Sequence, residues 1–309
     1  MPTALLRHAD CRLHDMGAHH PESPSRLSAI EDHLLAVGIV QHLLERDAPL
    51  ARRESVIRVH EADYFDALEA CSPAQGIVHL DPDTAMCPHS WQAALRAAGA
   101  VVSATDMVIT GEAENAFCCV RPPGHHAERR RAMGFCFFNN VAIGAAHALE
   151  VHGLRRVAIV DFDVHHGNGT ENIFRDDPRV MMVSTFQHPF YPYSGAEGRS
   201  ERMINVPLPA YSGSREFREA VGEQWLPALR SFAPQLVFVS AGFDAHRDDD
   251  MAMLNLTETD YDWVTRQIRD ISLRSAKGRI VSTLEGGYDL SALARSVAAH
   301  LRVLAGLDI

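Results

Sequence analysis

The sequence predicts an α/β protein built on a parallel, doubly wound sheet, folded as a single domain over residues 1–309. Two observations carry this. Several short apolar runs are continuous rather than alternating, as strands covered on both faces require. Helical patterns lie between these runs, so successive strands are joined by crossovers. In chain order, Ser23-Pro24 supplies a cap and first-turn proline for a helix ending at Gly38. An Ala-rich helix over 90–110 is stopped by Gly111, and a strand follows over 116–120. Next come a helix over 140–151, strands over 157–160 and 180–184, and a helix over 215–231. The chain then reads as a strand over 236–241, a helix over 259–276, a strand over 279–284 and a helix over 291–304. Low-complexity tracts, repeats and Pro/Gly/Ser linkers are absent from the sequence.

Composition narrows the function classes. A hydrophobic content of 46% provides a large core, and a net charge of −11 argues against nucleic acid as a partner, since phosphate binding needs a basic face. The first fifteen residues carry Arg7, His8 and Asp10 and contain no apolar stretch of signal-peptide length. Apolar runs such as 236–243 are far shorter than the ~20 residues that span a bilayer, so no membrane association is expected. Six cysteines without a Cys-x-x-Cys pair read as buried free thiols of a reducing cytoplasm. A homo-oligomer is compatible with the sequence, which does not specify assembly.

The chemistry sits just past the predicted strand ends. Arg121-Pro-Pro-Gly-His125-His126-Ala follows the strand at 116–120, and Asp161-Phe-Asp163-Val-His165-His166-Gly-Asn168-Gly follows that at 157–160. Asp244 follows the strand at 236–241, and Glu285-Gly286-Gly287-Tyr288 the strand at 279–284. Open α/β sheets assemble sites along that edge, so these segments can share one crevice. Asp163 and His165 are two apart and point the same way from an extended segment. With Asp244 they make a two-carboxylate, one-imidazole set with open positions, which describes a catalytic Zn2+ site. A second metal would need further carboxylates where Gly167 and His246 stand, so one catalytic divalent ion is expected. His125 and His126 suit either ligand or acid/base use, and acid/base use fits better beside a metal that already has three partners. Asp161 and Asn168 can each take one ring N–H. Tyr288, after its Gly286-Gly287 turn, is a candidate donor to a developing oxyanion.

These residues resemble the histone deacetylase family, in particular its class II-like and bacterial amidohydrolase members. The resemblance runs from His20-Pro21-Glu22-Ser23-Pro24-Ser25-Arg26-Leu27 to Leu284–Asp289. It implies an arginase/deacetylase-type fold, a central parallel sheet of about eight strands with helices on both faces. The implied activity is Zn2+-dependent removal of an acyl group, mainly acetyl, from a lysine-like amine. By the resemblance Asp163, His165 and Asp244 hold Zn2+, and His126 is the general base and acid. His125, paired with Asp161, is mainly electrostatic, and Tyr288 polarises the carbonyl. Asn168 replaces the aspartate of class I members. Phe135 and Tyr191 match the aromatics flanking the substrate's methylene chain, the Gly134 carbonyl accepts its amide N–H, and Asp83 anchors its backbone.

The resemblance also implies K+. One ion would lie beside the Zn2+ motif at Asp161, Asp163, His165, Ser184 and Thr185, and a second, outer ion at Phe174, Asp177 and Val180. The expected partner is an acylated lysine peptide or a small acylated amine. Members that favour acetylpolyamines carry a glutamate seven residues after the last zinc aspartate; here that position is Met251. Acyl-lysine is therefore the expected substrate, with the acidic run 248–250 placing charge nearby. The alternatives are an acetylpolyamine amidohydrolase and a weakly active acyl-lysine binding module.

Overall fold

The structure, a computed structural model, describes residues 2–197 and 200–307. Elements follow as β1 (Thr3–Arg7), α1 (Ser25–Ala36), β2 (Leu43–Asp47), α2 (Arg53–Val56), α3 (Ala62–Ala70), β3 (Val78–His79), β4 (Ala85–Met86), α4 (Ser90–Thr110), β5 (Asn115–Cys118) and α5 (Asn140–Glu150). They continue as β6 (Val157–Asp161), α6 (Asn168–Phe174), β7 (Val180–Gln187), β8 (Met203–Leu208), α7 (Ser214–Ala220), α8 (Leu226–Phe232), β9 (Leu236–Ala241), α9 (Glu258–Ser275), β10 (Ile280–Leu284) and α10 (Leu290–Leu304).

Eight strands form one sheet in the order β2-β1-β5-β10-β9-β6-β7-β8, every neighbour parallel. The five strands expected from continuous apolar runs are the five at its centre. The three additional strands are its margins. β2 is half-buried to exposed and β8 mostly half-buried, so neither carries the uninterrupted apolar signature. β1 is buried, but its apolar run is only Ala4-Leu5-Leu6.

The expected helix over 215–231 divides into α7, a π turn at Val221–Trp225, and α8. Pro227, at the start of α8, has no N–H to donate, and its ring would crowd the carbonyl four residues back; a wider turn relieves both. α4 ends where expected, on Gly111 at φ +84. Among the described residues α4 is the helix long and apolar enough to cross a membrane, yet it is mostly buried and packs on β1, β5, β10 and α5 as a core helix. Five cysteines are buried free thiols, but Cys71, at the end of α3, is exposed.

Four adjacent inner strands, β5-β10-β9-β6, are the ones that end in the four motifs. Residues more than 160 positions apart thereby reach one edge of the sheet.

Candidate metal centre and active site

Past the end of β6 the chain ties itself into place with its own carboxylates. The Asp163 N–H donates to Asp161 Oδ1 at 3.1 Å and the His165 N–H to Asp163 Oδ1 at 2.9 Å. From β9, Asp244 Oδ1 accepts the Val164 N–H at 2.9 Å, and from β10 the Gly286 N–H donates to Asp163 Oδ2 at 2.8 Å. Only glycine fits at two of these approaches. A Cβ on Gly242 would lie 2.0 Å from Asp163 Oδ2, and one on Gly286 2.1 Å from Asp244 Oδ2.

The ligand atoms of Asp163, His165 and Asp244 come within 4.8 Å of one another, all buried. His165 Nδ1 sits 2.9 Å from Asp163 Oδ1 and 3.2 Å from Asp244 Oδ2. Asp244 Oδ2 is fully buried and lacks a hydrogen-bond donor. Burial and the Asp163 charge push Asp244 up to about 6. Burial opposes a charge on His165, but Asp163 and Asp244 outweigh it and lift the imidazole to about 9. Two buried carboxylates thus demand positive charge between them, and a divalent cation of the Zn2+ type fits the donor set.

Beside this set, the His125 and His126 rings lie against each other, centroids 4.1 Å apart and planes tilted by 44°. Their turn is held from below, because Glu285 Oε2 accepts the Gly124 and His125 N–H groups at 2.6 and 3.1 Å. His125 Nδ1 meets Asp161 Oδ2 at 3.0 Å, and His126 Nδ1 meets Asn168 Oδ1 at 2.8 Å. Asn168 donates its amide to Glu128 Oε1 at 2.8 Å, so its oxygen faces His126. That assigns the proton to Nδ1 of His126 and leaves Nε2 as a free base. The two pKa values move apart. Burial opposes charge on His125, but Asp163 and Asp161 overcome it and raise its pKa well above the usual value. Burial, reinforced by His125 and His165, drives His126 well below. Environments that separate neighbouring groups in this way are typical of assigned acid/base roles.

A cavity of about 130 Å³ opens onto these groups, lined by Asp83, Pro123, His125, His126, Gly134, Phe135, His165, Phe190, Tyr191, Met251, Gly286 and Tyr288. The Tyr191 ring lies edge-on to His126 at 5.2 Å, and Phe135 edge-on to Tyr288 at 6.0 Å. Gly134 is left-handed at φ +56, and a Cβ there would come 2.4 Å from His126 Cδ2. Asp83 lines the cavity while its Oδ1 accepts the Gly134 N–H at 3.2 Å and the Thr84 hydroxyl at 3.0 Å. Burial raises Tyr288 well above the usual phenol value, so its hydroxyl stays protonated as a donor.

Not every expected residue reaches the cavity. Gly287 faces away, its carbonyl accepting from Arg26 Nε at 2.6 Å. In the acidic run, Asp249 turns inward and accepts the Tyr288 and Asp289 N–H groups at 2.6 and 3.0 Å. Asp248 pairs with Arg295 at 3.1 Å, which leaves Asp250 exposed. Of the expected K+ residues, Asp161 and Ser184 are register partners on β6 and β7 with Thr185 next, all buried. In the outer group Asp177 is clamped by Arg179 at 2.8 Å, and the Phe174 carbonyl accepts the Asp177 N–H at 3.0 Å.

Supporting residues went unassigned in the sequence. Phe190 stacks on His165 at 5.4 Å. Arg26 anchors the Tyr288 loop through the carbonyls of Glu285 and Gly287, and buried Glu22 joins Arg26 to Arg121. The motif containing Glu22 and Arg26 was visible, but nothing in a sequence shows that an arginine near residue 26 reaches residue 287.

Residues 20–304 match the family model described as the histone deacetylase domain. The chain is 41% identical over 280 residues to a histone deacetylase-like amidohydrolase of Pseudomonas aeruginosa, covering 88% of this chain and 73% of that one. It is 36% identical over 333 residues to the human polyamine deacetylase HDAC10, covering 99% of this chain and 48% of that one. Among solved structures, the HDA15 HD domain superposes with a TM-score of 0.92 at 34% identity, covering 99% of this chain and 90% of that one.

Proposed function

The chain belongs to the histone deacetylase family, and from that premise we propose that it hydrolyses N-acetyl amides of lysine-like amines with Zn2+ held by Asp163, His165 and Asp244. One observation carries the reading. A narrow, aromatic-walled cavity ends where a free imidazole nitrogen, a protonated phenol and a three-donor cation site meet.

When bound, Zn2+ supplies Lewis acidity to the acyl carbonyl and makes an attacking water more acidic. The residues do the rest. Phe135 and Tyr191 flank the methylene chain, and the Gly134 carbonyl takes the amide N–H. His126, neutral and oriented by Asn168, takes a proton from the attacking water through Nε2. Tyr288 donates to the oxygen that gains charge as the carbonyl carbon becomes tetrahedral. His126 then returns its proton to the leaving nitrogen, and the C–N bond breaks to acetate and amine. His125, charged and paired with Asp161, offsets the developing negative charge. Asn168 holds His126 without adding a second negative charge behind it. K+ beside Asp161, Ser184 and Thr185, and a cytoplasmic setting for the free thiols, belong to the same reading.

A second reading, acetylpolyamine hydrolysis, has one observation in its favour. Asp248, Asp249 and Asp250 border an outer pocket of about 370 Å³ that meets the mouth at Met251 and Tyr288, and one relative is named a polyamine deacetylase. Acyl-lysine remains the preferred class, because Met251 carries no charge at the mouth and Asp248 and Asp249 are already engaged. The test is turnover of a fluorogenic acetyl-lysine peptide and of acetylspermidine, with and without chelator. Chelator-sensitive turnover favouring the peptide is expected. Binding without turnover would make the protein an acyl-lysine binding module and overturn the proposal.

A further inference from the structure

A second convergence of metal-binding side chains lies away from this cavity. Asp106 on α4, His147 in the last turn of α5 and His152 just beyond it bring their ligand atoms within 4.8 Å of one another. His147 Nε2 and His152 Nε2 each lie 2.7 Å from the same Asp106 Oδ1, their rings 5.2 Å apart at 78°. Five residues apart on a continuing helix, the two histidines would diverge by about 140°. They converge because α5 stops at Glu150, before His152 is reached.

We propose that Asp106, His147 and His152 form a second, non-catalytic Zn2+ site that fastens the end of α5 to α4. Two imidazoles and one carboxylate are a borderline-soft set that suits Zn2+ in preference to Ca2+ or Mg2+. Two ring nitrogens on one carboxylate oxygen is the arrangement that protons adopt where a cation would bridge the same three atoms. The site is reachable, since the Asp106 side chain is 49% exposed and that of His152 19%, while His147 is buried at 9%. Among the described residues no Phe, Tyr or Trp side chain lines the groove beside Asp106 and His147, so the role is structural. Its distance from the cavity is set by α5. That helix starts at the Asn139 cap, whose amide donates to the His125 carbonyl at 3.4 Å, and runs about 12 Å to His147.

One neighbour opposes the site. Arg58 Nη1 lies 3.4 Å from His147 Nδ1. With Nε2 on the metal, Nδ1 carries the proton, so Arg58 must turn into the groove of about 600 Å³ that it lines. Replacing it with an acceptor should therefore tighten binding, as outer-shell carboxylates do for ligating histidines.

The test titrates Zn2+ into enzyme whose catalytic equivalent is already bound, with bound metal per chain read by elemental analysis and Tm by calorimetry. Wild type should take a second equivalent and melt higher. His152→Ala and Asp106→Asn should remain at one equivalent, with unchanged turnover of acetyl-lysine peptide. Asp244→Ala should keep only the remote equivalent, and Arg58→Glu should bind it roughly 10- to 100-fold more tightly. A wild type that stops at one equivalent, or variants at 106 and 152 that still take two, would overturn the proposal.

Discussion

Two sets of carboxylate and imidazole converge in this molecule, and they differ in what surrounds them. Asp163, His165 and Asp244 sit at strand ends, fully buried, with carboxylates outnumbering the imidazole. Asp106 and His147 sit on helices and His152 just beyond one, with Asp106 open to water and imidazoles outnumbering the carboxylate. The strand-end set is enclosed by glycines that let its oxygens approach, and it faces a cavity, a free imidazole nitrogen and a phenol. The helix set faces solvent and Arg58. Ligand convergence is common to both. Reaction chemistry comes from the neighbours that position substrate and move protons.

Removing Asp244 is the largest test of that contrast. Asp244→Ala should abolish deacetylation and lose the catalytic Zn2+, because it deletes a ligand, leaves Asp163 and His165 without their partner, and frees the Val164 N–H. Elemental analysis beside a peptide assay decides it. Activity surviving at a tenth of wild type would place the chemistry elsewhere. Tyr288→Phe comes next and separates neighbour from ligand. It should lower kcat by ~10²–10³ with the catalytic metal retained, the usual cost of one oxyanion donor. If the variant turned over at the wild-type rate, Tyr288 would be a packing residue over Arg26, whose guanidinium lies 5.0 Å from its ring.

Met251→Glu probes the rim. A charge at the mouth, added to the border that Asp250 already provides, should attract a distal ammonium. We expect the kcat/KM ratio of acetylspermidine to acetyl-lysine peptide to rise by roughly 5- to 150-fold, equivalent to ~1–3 kcal/mol. No change in the ratio would assign selectivity to the outer acidic pocket instead.

What the sequence made legible follows the same line between ligands and surroundings. The inner strands were readable because burial on both faces writes an uninterrupted apolar run; β2 and β8 escaped because half their surface meets water. Most residues at the cavity, though not Phe190, were readable because the chemistry expected of them needs fixed types at fixed offsets, as in Asp163-Val-His165. Their supports were not. Glu285 beneath the histidine turn, Asp249 beneath Tyr288 and Arg26 beneath both belong to tertiary packing, and each could have been a solvated charge for all that its neighbours in sequence reveal. Asp106 and His147 likewise lie 41 positions apart, joined only by the packing of α4 on α5.

The smallest effect concerns the support of the histidine turn and its response to acid. His60 Nε2 accepts the Asn139 N–H at 2.9 Å, and its Nδ1 donates to the Glu128 carbonyl at 2.9 Å. Both bonds belong to the neutral ring, and burial lowers its pKa to about 4. The unfolded chain takes up that proton near 6.5, while the folded chain resists until about 4. Between those values the unfolded state binds more protons, so this contribution to stability is complete above pH 6.5 and declines as pH falls toward 4. The slope is at most about 1.4 kcal/mol per pH unit. His60→Gln keeps an acceptor and a donor but has no proton to gain. Its denaturant midpoints should therefore fall less steeply than those of wild type between pH 6.5 and 5.5, by up to about 1.4 kcal/mol in stability. Asn139, the partner of His60, also donates to the His125 carbonyl, so wild-type activity should decline with stability over this range and that of the variant should decline less. Parallel acid slopes for the two proteins would show that His60 takes up its proton at the same pH folded and unfolded, so that burial does not hold the ring neutral.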